Sequence, residues 1–197
     1  KMWVIGGFDG TRKNDVWCSL DGQLWTEIIP RGLIWTPRYG HNSVVHNGRI
    51  WVMGGNDGEG SLMNDVWSSE DGETWTQSIQ AGEVWTARFW HQSVERDGRM
   101  WLLGGYDNTG QFRSDLWCSE QGSEWIKRSE DAPWSSRGGH ACVVFNDSLW
   151  VLGGYNAPPL QYMNDVWVST TSESNVLYVD IDCVSGLHDG ASWESAF

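Results

Sequence analysis

The chain has 197 residues, with 13 Lys and Arg against 26 Asp and Glu, for a formal net charge of −13. That is the length of one ordinary domain, and its negative field repels phosphate backbones, so no nucleic acid partner is expected. No apolar run reaches the length of a membrane span. The 16 Trp and 24 Gly are out of proportion to the length. Each buried Trp removes roughly 150–250 Å² of surface from water, so one packing solution used repeatedly is expected.

The first predicted strand is Trp3-Val4-Ile5-Gly6-Gly7, and the sequence opens on it with no leader pattern before it. The same pentad returns at Trp51–Gly55, Trp101–Gly105 and Trp150–Gly154, the tryptophans standing 48, 50 and 49 residues apart. Next come Asn14-Asp15-Val16-Trp17 and, 50 residues on each time, the matching tetrads ending at Trp67, Trp117 and Trp167. Trp25, Trp75 and Trp125 form a third column, and Trp35, Trp85 and Trp134 a fourth. Fourteen of the 16 Trp fall in these columns; Trp90 and Trp193 do not.

The second unit shows the plan most fully. His41–His46 reads as a strand closed by Asn47-Gly48, Arg49–Met53 as a second ending at Gly54-Gly55, Asp65–Ser69 as a third, and Glu73–Ile79 as a fourth after Asp71-Gly72. Asn-Gly and Asp-Gly supply the positive φ angles of tight hairpins. Helical periodicity is absent. Four antiparallel strands per unit of about 50 residues are the pattern of a propeller blade.

Pro37-Arg38-Tyr39-Gly40-His41 through Gly54-Gly55 resembles the kelch motif, with an Arg and a His before the inner strand, a Gly pair after the next strand and a later Trp. The match recurs at Arg88, His91 and Gly104-Gly105, and at Arg137, His140 and Gly153-Gly154, so the resemblance covers about residues 1–170. Ser19–Trp25 is also similar to the Asp-box turn of sialidase-type propellers, one residue short. The expected fold is all-β: a partial kelch-like β-propeller of about four blades of four antiparallel strands. The units run about 1–36, 37–86, 87–135 and 136–170. The first is incomplete because it lacks its Arg-x-x-His strand, and the fourth is degraded because Asn175 stands where a Trp is due. A segment of this kind leaves a strand edge and a blade face exposed, with adjacent blades of a parent chain as natural neighbours.

Residues 171–197 read as an irregular tail or the start of a following domain. Leu177–Asp180 and Asp189–Phe197 resemble the opening of the right-handed parallel β-helix domains of bacterial surface proteins. The resemblance implies an extracellular or cell-surface parent. The alternative is that the tail supplies a substitute fourth strand.

Repeated residues are expected to be structural. The Gly pairs permit close approach, the Asp column (Asp15, Asp65, Asp115, Asp165) satisfies loop N–H groups, the Arg column bonds carbonyls or acids between blades, and the His column fixes the inner strands. Cys18, Cys118, Cys142 and Cys183 show no metal spacing and are read as free thiols. No catalytic set, metal or cofactor is expected.

Strand alternation puts the loops Asn56–Met63, Tyr106–Arg113 and Tyr155–Met163 on one face, together with the connections that carry Trp35, Trp85 and Trp134. Long loops on a rigid scaffold are where binding concentrates. Trp90, where the other units have Gly40 and Gly139, breaks the repeat. The candidate binding residues are Trp90, Trp35, Trp85, Trp134, Asp57, Tyr106, Asp107, Phe112 and Arg113, with Glu59 and Tyr155 nearby; the alternative for the three column tryptophans is packing between blades. The function read from this is non-catalytic binding of a protein or a glycan. The alternative is a carbohydrate-active enzyme, like the kelch-type mutarotases or oxidases, whose site needs the full ring.

Overall fold

A computed structural model describes residues 1–58 and 60–169 with their side chains, and the backbone of 170 and of 177–180. Among the described residues, sixteen strands form four antiparallel sheets, one per unit. The first blade holds β1 (Met2–Phe8), β2 (Arg12–Ser19) and β3 (Thr26–Ile28). The second holds β4 (Asn42–His46), β5 (Arg49–Asn56), β6 (Leu62–Ser69) and β7 (Thr76–Gln77). The third holds β8 (Arg88–Phe89), β9 (Gln92–Arg96), β10 (Arg99–Asp107), β11 (Phe112–Ser119) and β12 (Ile126–Ser129); β8 and β9 both pair with β10. The fourth holds β13 (Ala141–Phe145), β14 (Ser148–Asn156), β15 (Gln161–Thr170) and β16 (Leu177–Asp180). The architecture is all-β and propeller-like.

At the lower face the hairpins β4–β5, β9–β10 and β13–β14 each turn on two residues with positive φ, Asn47-Gly48 (49° and 71°) and Asp97-Gly98 (54° and 69°) among them, as the right-handed twist of the flanking strands requires. At the other, upper end the Gly pair makes a bulge: the β5–β6 register shifts between Met53 and Gly55, and the other three blades repeat the shift. A Cβ on Gly54 would lie 2.8 Å from Cε1 of His91 in the next blade, and one on Gly55 would lie 2.8 Å from Cβ of His41 in its own. The first glycine of the pair therefore admits the neighbouring blade, and the second admits the blade's own histidine.

The core lies between blades. Val16, Trp35, Ile50, Val52 and Trp75 fill the first junction. Trp51, Met53, Trp85, Met100, Leu102 and Trp125 fill the second. Leu103, Leu116, Trp134, Leu149 and Val151 fill the third.

The Arg and Asp columns work differently from the sequence reading. Arg38 bonds Asp65 of its own blade through both terminal nitrogens (2.5 and 2.9 Å) and the Gly54 carbonyl (2.8 Å). Arg88–Asp115 and Arg137–Asp165 repeat this pairing. The link to the preceding blade is made by the arginine's main chain: Arg38 N donates to Lys13 O, and Gly7 N donates to Arg38 O. The Asp carboxylates thus serve a guanidinium and an indole, Trp67 Nε1 donating to Asp65 at 2.8 Å, and not loop N–H groups. The reason is geometric: Asp65 lies within β6 at the register shift beside the Gly pair, not in the loop before the strand.

β16 pairs with β15 in the register Trp167↔Asp180 to Thr170↔Leu177, so the fourth blade draws a substitute outer strand from the tail, as the alternative reading of that segment has it. The remainder of the β-helix resemblance, 181–197 with Cys183 and Trp193, lies outside the described residues. Because the strands run on past the Gly pairs, the upper loops shrink to 57–61, 108–111 and 157–160, no longer than the lower turns 70–75 and 120–125. The two faces therefore differ in chemistry more than in loop length.

Candidate functional site: an aromatic upper face

The upper ends of the strands carry rings from all four blades in edge and tilted contact. Phe8 meets Tyr39 at a centroid distance of 5.7 Å, and Tyr39 meets Phe89 at 5.8 Å. Phe89 packs on Trp90 at 4.0 Å and Tyr106 at 5.9 Å. Trp90 and Phe112 each stand 5.5 Å from Tyr155, and Tyr106 stands 4.9 Å from Phe112. Tyr162 closes the series 6.1 Å from Tyr155. Phe8 and Tyr162 are exposed, most of the others are half-buried, and Phe89 is buried. Burial, with Tyr162 and Tyr39 beside it, holds the Tyr155 hydroxyl above the usual tyrosine range.

Backbone pairing aligns these rings. The residue after each column arginine bridges the residue after the Gly pair: Tyr39 with Asn56, Phe89 with Tyr106, Gly138 with Tyr155. Nearer the histidines, Trp90 N donates to Gly40 O (2.8 Å) and Gly139 N donates to Trp90 O (2.9 Å), tying three successive blades together. Gly40, Trp90 and Gly139 share a left-handed conformation, with φ of 64°, 57° and 61°. An L-residue there costs roughly 1–2 kcal/mol because its Cβ crowds the following carbonyl, and a bulky one is a true outlier. Trp90 holds that strained position with its ring among Phe89 and Tyr155.

Of the sequence candidates, Trp90, Tyr106 and Phe112 join this surface. Arg113 lies at its margin, its Nε donating to Asp107 at 2.6 Å. Asp107 itself is a buried loop organiser: it also accepts from Thr86, from the Thr109 hydroxyl and amide, and from Gln111 N. Burial opposes its ionisation, but those bonds prevail and its carboxyl titrates below the usual range. Asp107 is therefore not available to a ligand. Asp57 takes the corresponding place in the second blade, accepting from Ser61 N at 3.2 Å. Glu59 falls outside the described residues.

Trp35, Trp85 and Trp134 are corrected from surface to core. All three are buried, the linkers carrying them rising between blades: Arg31 N donates to Glu73 O and Ala81 N to Ser123 O of the next blade's lower turn. Trp35 and Trp85 then pack edge-on against Trp75 and Trp125 at 6.1 and 6.0 Å. Phe8, Tyr39, Phe89 and Tyr162 escape the sequence reading. For the first three the signal is an aromatic after the Gly pair or after the column arginine, visible only when those two columns are laid side by side; Tyr162 carries no such signal.

The three column histidines converge on the inner strands without forming a metal site. His41 Nε2 bonds Ile5 O at 2.9 Å, and neither ring nitrogen of His91 or His140 has a hydrogen-bond partner. Burial lowers all three pKa values, to about 4 for His41 and about 3 for His140. Cys18, Cys118 and Cys142 are free thiols, and burial pushes that of Cys142 up to about 12. Among the described residues, no three His, Cys, Asp or Glu side chains gather closely enough to hold a metal ion, and no helix is long and apolar enough to cross a membrane.

No curated protein sequence matches the chain. A family model described as the KLHDC2/KLHL20/DRC7 Kelch-repeats domain matches residues 51–183, a span that includes β16. With the Arg–Asp pairs, the Gly-pair bulges and the four successive sheets, this establishes that the chain belongs to the kelch-repeat family, whose domains serve in general as non-enzymatic protein-interaction modules.

Proposed function

We propose that the aromatic upper face is the binding surface, and that it takes a segment of a partner protein presenting apolar or aromatic side chains. The observation that carries this reading is Trp90: a large residue in a left-handed conformation that two sister units fill with glycine. Strain of this kind concentrates at functional positions, and Trp and Tyr dominate the energetic centres of interfaces. A glycan is the second reading, favoured by the exposed rings of Phe8 and Tyr162, which offer flat faces for a sugar to stack on. The carbohydrate-active alternative is a site that the full ring would complete. An extracellular or cell-surface modular parent is the setting we infer, on the resemblance of residues 177–197 alone.

The test is selection of a displayed random-peptide library on the wild-type chain, with the Trp90→Gly variant as counter-selection. Glycine suits φ of 57°, so the variant keeps its backbone while losing the ring. Peptides rich in apolar residues that bind the wild type and lose at least tenfold affinity on Trp90→Gly support the reading. Binders indifferent to Trp90 and to Phe8→Ser refute it. Trp90-dependent hits on a glycan array, without peptide hits, move the assignment to sugars.

A further inference from the structure

We propose that the upper end of the third junction holds a seat for an aromatic side chain of the partner, with the backbone of Gly138 as its floor, and that Phe112 covers this seat until the partner's ring takes it. The proposal rests on the reading of the upper face as the binding surface and names its anchor point. In the second and third blades the residue after the column arginine is a ring, Tyr39 and Phe89; in the fourth it is Gly138. All three share one backbone place, each bridging the residue after its own Gly pair. Rings at this place follow a rule. Phe89 meets Tyr106 of its own blade at 5.9 Å, Tyr39 meets Phe8 of the preceding blade at 5.7 Å, and the two meet each other at 5.8 Å. By the same rule a ring above Gly138 would touch Tyr155 of its own blade, and Tyr106 and Phe89 of the preceding one. The fold has thus built the surroundings of a ring that the fourth blade does not supply.

Phe112 fills the place from the side. It stands 4.9 Å from Tyr106 and 5.5 Å from Tyr155, which are two of the three contacts due to a ring at position 138. A Cβ on Gly138 would lie 3.1 Å from Cε1 of Phe112 and 3.3 Å from Cβ of Trp90. Gly138 has no positive φ, so its missing side chain serves space and not backbone conformation. The first junction shows where Phe112 goes when the seat is full. Arg12 holds the same register position as Phe112, each paired with the residue after its Gly pair. Its guanidinium lies over the Tyr39 ring, 5.9 Å from the centroid. A side chain at this position can therefore rest on top of a seated ring. The surroundings call for a neutral occupant: the walls are uncharged rings, and the Arg113 guanidinium beside Phe112 is committed to Asp107. An aromatic occupant gains edge contacts with those rings that an aliphatic one does not.

The probe is p-cresol, the side chain of tyrosine, with methylcyclohexanol as its saturated counterpart. Binding is read from the Trp90 indole N–H signal in proton–nitrogen correlation spectra, identified as the one that Trp90→Gly removes. The expected result is a saturable shift with p-cresol, and binding of methylcyclohexanol that is weaker by about threefold or more. Phe112→Ala uncovers the seat and should bind p-cresol more tightly than the wild type by about threefold or more, because the covered form no longer competes. Gly138→Tyr fills the seat with the residue that the second blade carries there, and should abolish the shift at an unchanged melting temperature. If Gly138→Tyr does not fold, Gly138→Ala replaces it: its Cβ enters the seat without backbone strain and should weaken p-cresol binding. A wild type with no measurable shift beside a Phe112→Ala that binds is the limiting form of the expected result. No shift in either, an affinity unchanged by Phe112→Ala or by the Gly138 variants, or equal binding of methylcyclohexanol overturns the proposal. The selected peptides separate the seat from the surface it rests on. Peptides that lose affinity on Trp90→Gly but not on the Gly138 variant keep the surface and overturn the seat. Binding of p-cresol that follows Phe112 and Gly138, without any Trp90-dependent peptide, keeps the seat and removes the partner-protein reading.

Discussion

The two faces of the blades are built on opposite principles. At the lower face the chain solves one problem three times with the same bonds: Gly22, Gly72 and Gly122 each donate their N–H to the hydroxyl of Ser19, Ser69 and Ser119 at 2.8 Å, and each accepts at its carbonyl from Trp25, Trp75 or Trp125. At the upper face the aromatic set differs from blade to blade, with Tyr106 and Tyr155 the equivalent pair. The first contributes Phe8, the second Tyr39, the third Phe89, Trp90, Tyr106 and Phe112, and the fourth Tyr155 and Tyr162. A residue that must hold blades together recurs at every junction, whereas a residue that meets something outside the fold is free to differ.

The sharpest way to break this contrast is at the buried ion pairs. Arg88 and Asp115 are both buried, so Arg88→Ala should cost about 3–5 kcal/mol, because the carboxylate is left charged and unpaired. Arg49→Ala should change stability by less than about 1 kcal/mol, since its partner Glu70 is solvent-exposed and screened. Urea unfolding of both variants measures the difference. Asp15 has a bond from the indole of Trp17 and no guanidinium partner among the described residues, so Asp15→Ala should fall between the two.

Acid should act next, through the histidines. Their folded-state pKa values lie below the ordinary 6.5 because burial disfavours the cation. Below pH 6.5 the unfolded chain takes up protons that the folded chain refuses, so stability falls as the pH is lowered from 6.5 towards about 4, where His41 begins to titrate. For His41 alone the loss by pH 4 is about 3 kcal/mol. Urea midpoints between pH 7.5 and 4.5 should show the slope. His91→Phe should flatten it, since the ring stacks near Trp85 (5.8 Å) and neither of its nitrogens is hydrogen-bonded. A slope unchanged in that variant would assign the acid sensitivity to other groups.

Smaller effects come from the glycines. Gly54→Ala forces a Cβ to within 2.9 Å of the Arg88 carbonyl at φ of 59°, and a loss of roughly 1–3 kcal/mol is expected. Gly7→Ala meets no atom within 4 Å and bears only the cost of its φ of 115°. A larger melting-temperature drop for Gly7→Ala than for Gly54→Ala would show that the close approach between blades is not what the first glycine protects.

What the sequence revealed and what it hid follow from the same division. The blade plan was legible because the Trp and Gly-Gly columns repeat within single units, where periodicity can be counted. The Arg38–Asp65 bond was half legible: the types matched, but the pair spans 27 positions and three strands, so the acid's partner was misassigned. Trp35, Trp85 and Trp134 were placed on the surface because their linkers are polar and irregular; the indoles nevertheless fill the space between neighbouring sheets, which no single unit contains. The aromatic surface was hidden for the same reason. Tyr39 meets Phe8 of one blade and Phe89 of another, and neither contact has a sequence period. Trp90 announced itself by breaking a period, and Tyr106 and Phe112 by standing in a variable loop.

The mildest prediction concerns a lapse in the lower face's own regularity. Asp71 Oδ1 accepts from Glu73 N and Thr74 N at 2.8 and 2.9 Å, and Asp21 makes the same pair of bonds. Those amides, the one from Thr74 foremost, hold the Asp71 carboxyl below the usual range. The third blade has Gln121 at this position, and only its main chain joins the turn, donating to Ser119 Oγ. Gln121→Asp should recover both bonds and add about 0.5–1 kcal/mol, held to the lower part of that range by the flanking negative charges of Glu120 and Glu124. Asp71→Ala should lose at least as much. If Gln121→Asp destabilises the chain, the third turn is not a weakened copy of the other two, and the lower face also contains a position shaped by something outside the repeat.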